Sequence, residues 1–319
     1  MSASTAPDSS GARDCPVCSA DDPSGLAAAG PDGNCPSCGR KVPVSRDHAE
    51  IDLRLLAGVT DRGLRHHRNE DAMALATAAG PNGPVVLAVV SDGVSSAPRP
   101  DEASLIAVRT AMRVLLTSAR AGDDPAAAAG AAAREAAQAL TDMADSDGAP
   151  AATYVSATVD PEHVTLCWLG DSRAYWLTAD PAGSVRLTKD DSIAEEIVAA
   201  GVATVDEAMA SPQAHVITRW LGADLPDPEP HVARFRPPGP GVVLVCSDGL
   251  WNYRPEAGDL AGLVMPAAQT EPLPAAADLV KFAVDRGGLD NITVVLIPGP
   301  FAAESRRASR TAAIRMDRP

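Results

Sequence analysis

The sequence predicts an α+β fold preceded by a small N-terminal zinc ribbon, and three observations carry that expectation. Short β-type runs lie close enough in mid-chain to form hairpins, while the helical patterns stand apart from them instead of alternating strand by strand. Two apolar runs, Val85–Val90 and Val242–Cys246, lead straight into the same three residues, Ser91-Asp92-Gly93 and Ser247-Asp248-Gly249. Near the N-terminus, Cys15-Pro-Val-Cys18 and Cys35-Pro-Ser-Cys38 are separated by sixteen residues, the arrangement of a four-thiolate zinc site.

Taken in order, residues 1–12 are small and polar and are expected to be disordered. Residues 13–41 form the ribbon, in which each CxxC turn points two sulfurs at one ion and the metal supplies the folding energy that so short a segment lacks. Two disulfides are the competing reading, disfavoured by the paired spacing and a reducing compartment. Residues 42–50 read as a linker, 51–298 as the main domain and 299–319 as a flexible basic tail. Candidate strands are Leu53–Val59, Val85–Val90, Tyr154–Val159, Val164–Leu169, Ala174–Leu177, Val185–Leu187, Val242–Cys246 and Ile292–Ile297, most of them bounded by Gly, Pro, Asp or Asn. Helices are expected over Glu102–Ser118, Pro125–Met143, Ile193–Ala200 and Pro274–Arg286, the second so rich in alanine that propensity nearly decides it. Trp168, Trp176, Trp220 and Trp251, with Cys167 and Cys246, sit in or beside apolar runs and read as core.

The 319 residues carry a formal net charge of −15, and five arginines in the last nineteen residues leave the body more acidic still. No basic face for nucleic acid is therefore expected. The start of the chain lacks a basic stretch before an apolar core, and no apolar run is long enough to span a bilayer, so the expectation is a cytoplasmic protein without a membrane partner.

The chemistry lies in acidic turns at strand ends. Asp92 and Asp248 close apolar runs, Asp290 stands just before Ile292–Ile297, Glu70-Asp71 follow the turn Thr60-Asp-Arg-Gly63, and Asp171 joins two candidate strands. Singly, each reads as a hairpin-turn residue. Five such sites beside apolar runs point instead to carboxylates gathered around cations, and oxygen ligands of this kind suit Mg or Mn.

The order of these motifs resembles the metal-dependent protein serine/threonine phosphatase family, type 2C, in its bacterial form. The resemblance rests on Thr60-Asp-Arg-Gly63 with Asn69-Glu-Asp-Ala72, Ser91-Asp-Gly93, Glu102-Ala-Ser104, Gly170-Asp-Ser-Arg-Ala-Tyr175, Leu187-Thr188 with Asp191-Ser192, Val216-Ile-Thr-Arg219 with Leu221-Gly222, Ser247-Asp-Gly-Leu-Trp251 and Asp290-Asn-Ile-Thr293. It implies a four-layer αββα sandwich of two antiparallel sheets flanked by helices, with a binuclear Mg or Mn centre at one end. It further implies hydrolysis of phosphoserine and phosphothreonine through a metal-bridging hydroxide, phosphorylated proteins as substrates and a cognate Ser/Thr kinase as partner. Carried over residue by residue, the resemblance makes Asp92, Asp248 and Asp290 the catalytic carboxylates. Asp92 bridges two ions, Asp248 and Asp290 complete the first, and the Gly93 carbonyl serves the second. Glu70 and Asp71 act directly or through water, and Asp171 joins Asp248 at a third ion.

Two departures from that family qualify the expectation. Where relatives place a phosphate-binding arginine, this chain has His66, so the phosphate role falls among Arg65, His66 and Arg68. After Gly93, relatives continue Met-Gly-Gly, whereas Val94-Ser95-Ser96 stand here and stiffen the loop. These departures keep a second reading open, a catalytically weak phosphatase-fold scaffold that recruits partners through its zinc ribbon.

Overall fold

The computed structural model describes residues 46–81, 83–224 and 229–299. The proposed ribbon with its four cysteines, the N-terminal twelve residues, residues 42–45 of the linker and residues 300–319 of the tail lie outside them. The chain divides into two compact units, Met1–His48 and Ala49–Pro319, and the second is the one described below. In order, it contains strands β1 (His48–Asp52), β2 (Ala57–Asp61), β3 (Asp71–Gly80) and β4 (Gly83–Asp92), then helices α1 (Pro100–Ala121) and α2 (Pro125–Thr141). Strands β5 (Ala151–Ala152), β6 (Tyr154–Val159), β7 (Val164–Leu169), β8 (Arg173–Leu177) and β9 (Val185–Arg186) precede a helical hairpin, α3 (Ile193–Ala199) and α4 (Val205–Met209). After these come β10 (Leu221–Gly222), β11 (His231–Phe235), β12 (Gly241–Cys246), α5 (Asp248–Trp251), α6 (Ala257–Val264), α7 (Pro272–Asp285) and β13 (Ile292–Gly299).

One sheet has the order β1-β2-β13-β12-β8-β9 and the other β11-β7-β6-β4-β3. The layers follow from which face of each strand is apolar. Val86, Ala88, Val90, Val155, Trp176, Val243, Val245 and Val295 fill the space between the sheets. Their neighbours in sequence, such as Leu87 and Val89, meet Ala107, Ala111, Leu115 and Leu140 of α1 and α2. On the other side, Leu244, Cys246, Val294 and Leu296 meet Leu260, Val264 and Leu279 of α6 and α7. Strands covered on both faces need apolar residues at every position, which is why these runs are continuous instead of alternating. The result is the four-layer sandwich that the resemblance implied.

Helix ends follow the local chemistry. The α2 alanine run begins at Pro125 behind Asp124, whose carboxylate accepts from Ala127 N at 2.9 Å. The α1 helix begins two residues earlier than its apolar pattern, at Pro100, and stops where Gly122 adopts a left-handed φ of 76°.

Several elements differ from expectation. Leu53–Val59 is not one strand, because Arg54 takes a left-handed φ of 66° while its N–H is held by Asp52. Strand β1 therefore ends before the turn, having begun within the segment read as linker. Strand β3 was absent from the expectation, since Asp-Ala-Met-Ala-Leu-Ala-Thr-Ala-Ala carries little β propensity. Pairing with β4 along its whole length, from Asp71↔Asp92 to Gly80↔Gly83, overrides that preference. Strand β11 and helices α4, α5 and α6 were missed too. Trp168, Trp176 and Trp251 are buried as expected, but Trp220 is only half-buried.

The antiparallel register decides where the acidic turns go. Strand β4 ends and β3 begins at one place, with Asp71 opposite Asp92. The end of β12 faces the starts of β8 and β13, through Cys246↔Arg173 and Cys246↔Val294. All five aspartates are thereby delivered to one end of the sandwich.

Candidate metal centre

At that end the two Ser-Asp-Gly turns use all three residues. Each glycine sits against a carbonyl oxygen: a Cβ would stand 2.1 Å from Pro100 O at Gly93, and 1.9 Å from Asn291 O at Gly249. Only glycine lets the chain pass so close. The serines are wholly buried. Ser91 Oγ donates to Thr153 O at 2.6 Å, and Ser247 Oγ donates to Asp71 Oδ2 at 2.6 Å.

Two of the aspartates are held by one oxygen and open at the other. Asp71 Oδ2 also accepts from Thr293 Oγ1 at 2.7 Å, while its Oδ1 is buried without a hydrogen-bond partner. Asp248 Oδ2 accepts from Asn252 Nδ2 at 3.0 Å, and its Oδ1 is likewise buried and unpartnered. Asp92 is fixed through its backbone, whose N–H donates to Thr153 Oγ1 at 3.0 Å. Asp290 Oδ1 lies 3.1 Å from His66 Nε2 and caps Asn291 N at 2.8 Å. Asp171 presents its carbonyl to Trp251 Nε1 at 2.9 Å.

Burial first, and neighbouring negative charge after it, moves every one of these carboxyls in the same direction. Burial pushes Asp71 up to about 6 against hydrogen bonds from Ser247 and Thr293, and pushes Asp171 up to about 7 with help from the Asp190 charge. Asp92 rises well above the carboxylate range, first through burial and then through Asp71, Asp248, Asp290 and Asp171. Asp248 rises well above it too, through burial and then Asp171, Asp290 and Asp71. Asp290 is raised by burial, offset by the Asn291 N–H and His66. Mutual repulsion of this kind marks a site built to be neutralised by cations.

The donor set fits Mg or Mn, since two unpartnered carboxylate oxygens face a cluster of further carboxylates beside the Gly93 turn. Among the described residues, no three His, Cys, Asp or Glu side chains close into a metal-holding group by themselves. Mg sites of this class take few carboxylates and fill the remaining positions with water. The thiols belong to different chemistry: Cys167 and Cys246 are buried and free, and burial pushes Cys167 up to about 12 and Cys246 higher still. Neither acts as a nucleophile.

Beside the carboxylates lies a cavity of about 430 Å³ lined by Arg65, His66, His67, Arg68, Glu70 and Ser95. All three candidate phosphate residues therefore face one space. Arg68 is engaged, with Nε 2.9 Å from Glu70 Oε1 and Nη1 3.5 Å from Asp101 Oδ1. Arg65 is exposed. The changed loop after Gly93 has a use in this arrangement, because Ser95 Oγ donates to Glu70 Oε2 at 2.5 Å and fixes that side chain.

Sequence reasoning missed the residues that hold the acidic cluster in place. Asn291, 2% exposed, accepts from Glu70 N at 2.7 Å and donates to Arg62 O at 2.8 Å and Arg68 O at 3.1 Å. It pins the whole loop from 62 to 70. Thr60 and Thr293 share a hydrogen bond of 2.7 Å, and Asn69 donates to Thr60 at 2.8 Å. These residues stood inside the quoted motifs, where a polar side chain next to an apolar run was the available signal.

The protein phosphatase 2C family profile matches residues 64–271. The serine/threonine phosphatase stp of Listeria innocua is 32% identical over 158 residues, which are 49% of this chain and 60% of that protein. The chain thus spans less than two thirds of the curated relatives it matches. Among solved structures, Stp1 of Staphylococcus aureus superposes with a TM-score of 0.66 at 23% identity, over 78% of this chain and 96% of that one, a likeness of fold. The catalytic domain of the phosphatase PstP, solved with two manganese ions, gives 0.62 at 26% identity, over 76% of this chain and 96% of its own. With the profile covering more than half of the chain and the sandwich delivering its acidic turns to one end, the chain belongs to the protein phosphatase 2C family.

Proposed function

We infer that the protein hydrolyses phosphoserine and phosphothreonine on other proteins at the carboxylate end of the sandwich. The observation that carries this reading is the pair of anchored aspartates, Asp71 and Asp248, each with one buried oxygen left free within a cluster of carboxylates. Asp92, Asp248, Asp290 and the Gly93 carbonyl would hold two Mg or Mn ions, Glu70 and Asp71 would assist directly or through water, and Asp171 with Asp248 would hold a third. Such ions supply Lewis acidity that activates water and neutralises charge on the phosphoryl oxygens.

The chain's own residues then bind and orient. Arg65 and His66 face the adjoining cavity and are placed to receive phosphate oxygens, with His66 aligned by Asp290 and Arg68 serving chiefly to hold Glu70. The test is hydrolysis of a phosphothreonine peptide with and without added Mn. Turnover that ignores metal, or no turnover at all, would defeat the assignment. The scaffold reading loses ground because the carboxylate set is complete and the basic cavity adjoins it.

Asn291 supplies a second test. Asn291→Ala leaves Glu70 N and two carbonyls of the 62–70 loop without a partner, so kcat/KM for the peptide should fall about 10- to 100-fold, mostly through KM. An unchanged KM would show that the loop does not need this pin.

On the cysteine spacing alone, we also assign Cys15, Cys18, Cys35 and Cys38 one structural zinc ion and a role in recruiting partners. Metal analysis should find zinc in the purified chain and lose it in Cys35→Ser. Zinc-free parent protein would refute the ribbon.

A further inference from the structure

A second, larger cavity of about 730 Å³ meets the carboxylate cluster at Asp171. It lies between the α3–α4 hairpin and the start of α6. Its contact with the centre is direct, since Asp171 and Trp251 line it and the Asp171 charge bears on both Asp92 and Asp248. A volume of this size matches what small-molecule and side-chain pockets occupy.

The walls combine two characters. Val198, Val205, Met209 and Ala214 give an apolar side, and Val205 and Met209 remain 60% and 41% exposed, unusually open for large aliphatic groups. The charged residues sort into engaged and unengaged. Arg173 is consumed by Asp190 at 2.6 Å and by the Trp251 ring 3.5 Å below its guanidinium. Arg186 is consumed by its ion pair with Glu195. Asp206 and Glu256 line the same cavity, and among the described residues neither has an ion pair or side-chain hydrogen bond. The Asp171 carboxylate, in a residue 6% exposed, accepts from no side chain there, Trp251 Nε1 being held by the backbone carbonyl. The lining is therefore apolar along one side and carries unspent negative charge, with both arginines already taken and His215 set against the Trp251 ring at 5.7 Å.

From this arrangement we propose that the cavity receives a lysine or arginine side chain flanking the phosphorylated residue of the substrate, so that the enzyme favours basic phosphosites. The aliphatic stem lies along Val205 and Met209 while the charged head meets Asp206 and Glu256. An acidic neighbour is repelled by both carboxylates, and an aromatic one gains only the apolar contact. The proposal rests on the phosphatase reading, and its test separates the two.

Phosphothreonine peptides with a lysine walked along either side of the phosphoresidue are compared with glutamate counterparts, and a small aryl phosphate reports on the centre alone. The expected result is a kcat/KM ratio of about tenfold in favour of lysine at one position, the size of one or two partly exposed charge pairs. That ratio falls to about one in Asp206→Lys/Glu256→Lys, whose folding is checked by circular dichroism; the single variant Asp206→Asn should reduce it partway. Equal rates for lysine and glutamate peptides, or a preference that survives both variants, would overturn the proposal even with the aryl phosphate hydrolysed. Should the aryl phosphate be untouched, the phosphatase reading fails, and calorimetric binding of the same peptides to the EDTA-treated chain decides the cavity on its own. Tighter binding of the lysine peptide then supports it, and equal binding refutes it.

Discussion

Asp92→Asn should lower Mn-dependent turnover of a phosphothreonine peptide by roughly a thousandfold, the several kcal/mol that ion-supplied charge stabilisation contributes at such a centre. Asp92 is the residue whose charge meets Asp71, Asp248, Asp290 and Asp171 together, so its loss removes the carboxylate common to the set. The same change has the opposite effect on the metal-free fold. One of several repelling charges disappears, so the EDTA-treated variant should unfold at a temperature equal to or above that of the parent. Low activity with undiminished stability identifies a functional carboxylate. Turnover within tenfold of the parent would remove Asp92 from the centre.

Arg173→Met should cost about 3–5 kcal/mol of stability, the range for removing one partner of a buried ion pair. Arg173 and Asp190 are 4% and 5% exposed, and three hydrogen bonds of 2.6 to 3.1 Å join them. With the guanidinium gone, Asp190 keeps only the more distant Arg186, 3.8 Å away, and Trp251 loses the cation stacked on its ring. The double variant Arg173→Met/Asp190→Leu should recover much of the loss, because a buried pair replaced by apolar groups leaves no unpaired charge. Urea denaturation reads both. A single-variant loss under about 1 kcal/mol would mean that water reaches the pair.

The acidic turns were legible because their chemistry is local. Ser-Asp-Gly after an apolar run says strand, carboxylate and tight turn within a few residues, and the structure puts Asp92, Asp248 and Asp290 at those ends. The partner strand of Asp92 was not legible. Strand β3 is made of alanines whose preference is helical or neutral, and only the ten-residue register with β4 makes it a strand and sets Asp71 against Asp92. Asn291 shows the same limit. Its three hydrogen bonds reach residues 62 to 70, more than two hundred positions away, and no local pattern announces such a contact. Trp220 failed for a related reason, since an apolar neighbourhood in sequence did not become a buried one in space. The fold was readable as layers, whereas the contacts between distant segments that fix the site were not.

The pairing of β2 with β13, from Asp61↔Ile292 to Ala57↔Leu296, also dictates an order of events as the chain leaves the ribosome. The sheet formed by β11, β7, β6, β4 and β3, with α1 and α2 on its outer face, is complete in sequence by Phe235 and can assemble early. The other sheet must wait, because its second strand from the N-terminal edge has no inner neighbour until the final strand is made. Asp290 and Asn291 arrive with that strand, so until then the acidic cluster lacks Asp290 and the 62–70 loop lacks its hydrogen bonds to Asn291. The acidic end of the sandwich therefore closes only once β13 is made, and a chain truncated before Asp290 would keep Asp71, Asp92, Asp171 and Asp248 but lose Asp290 and the hydrogen bonds of Asn291.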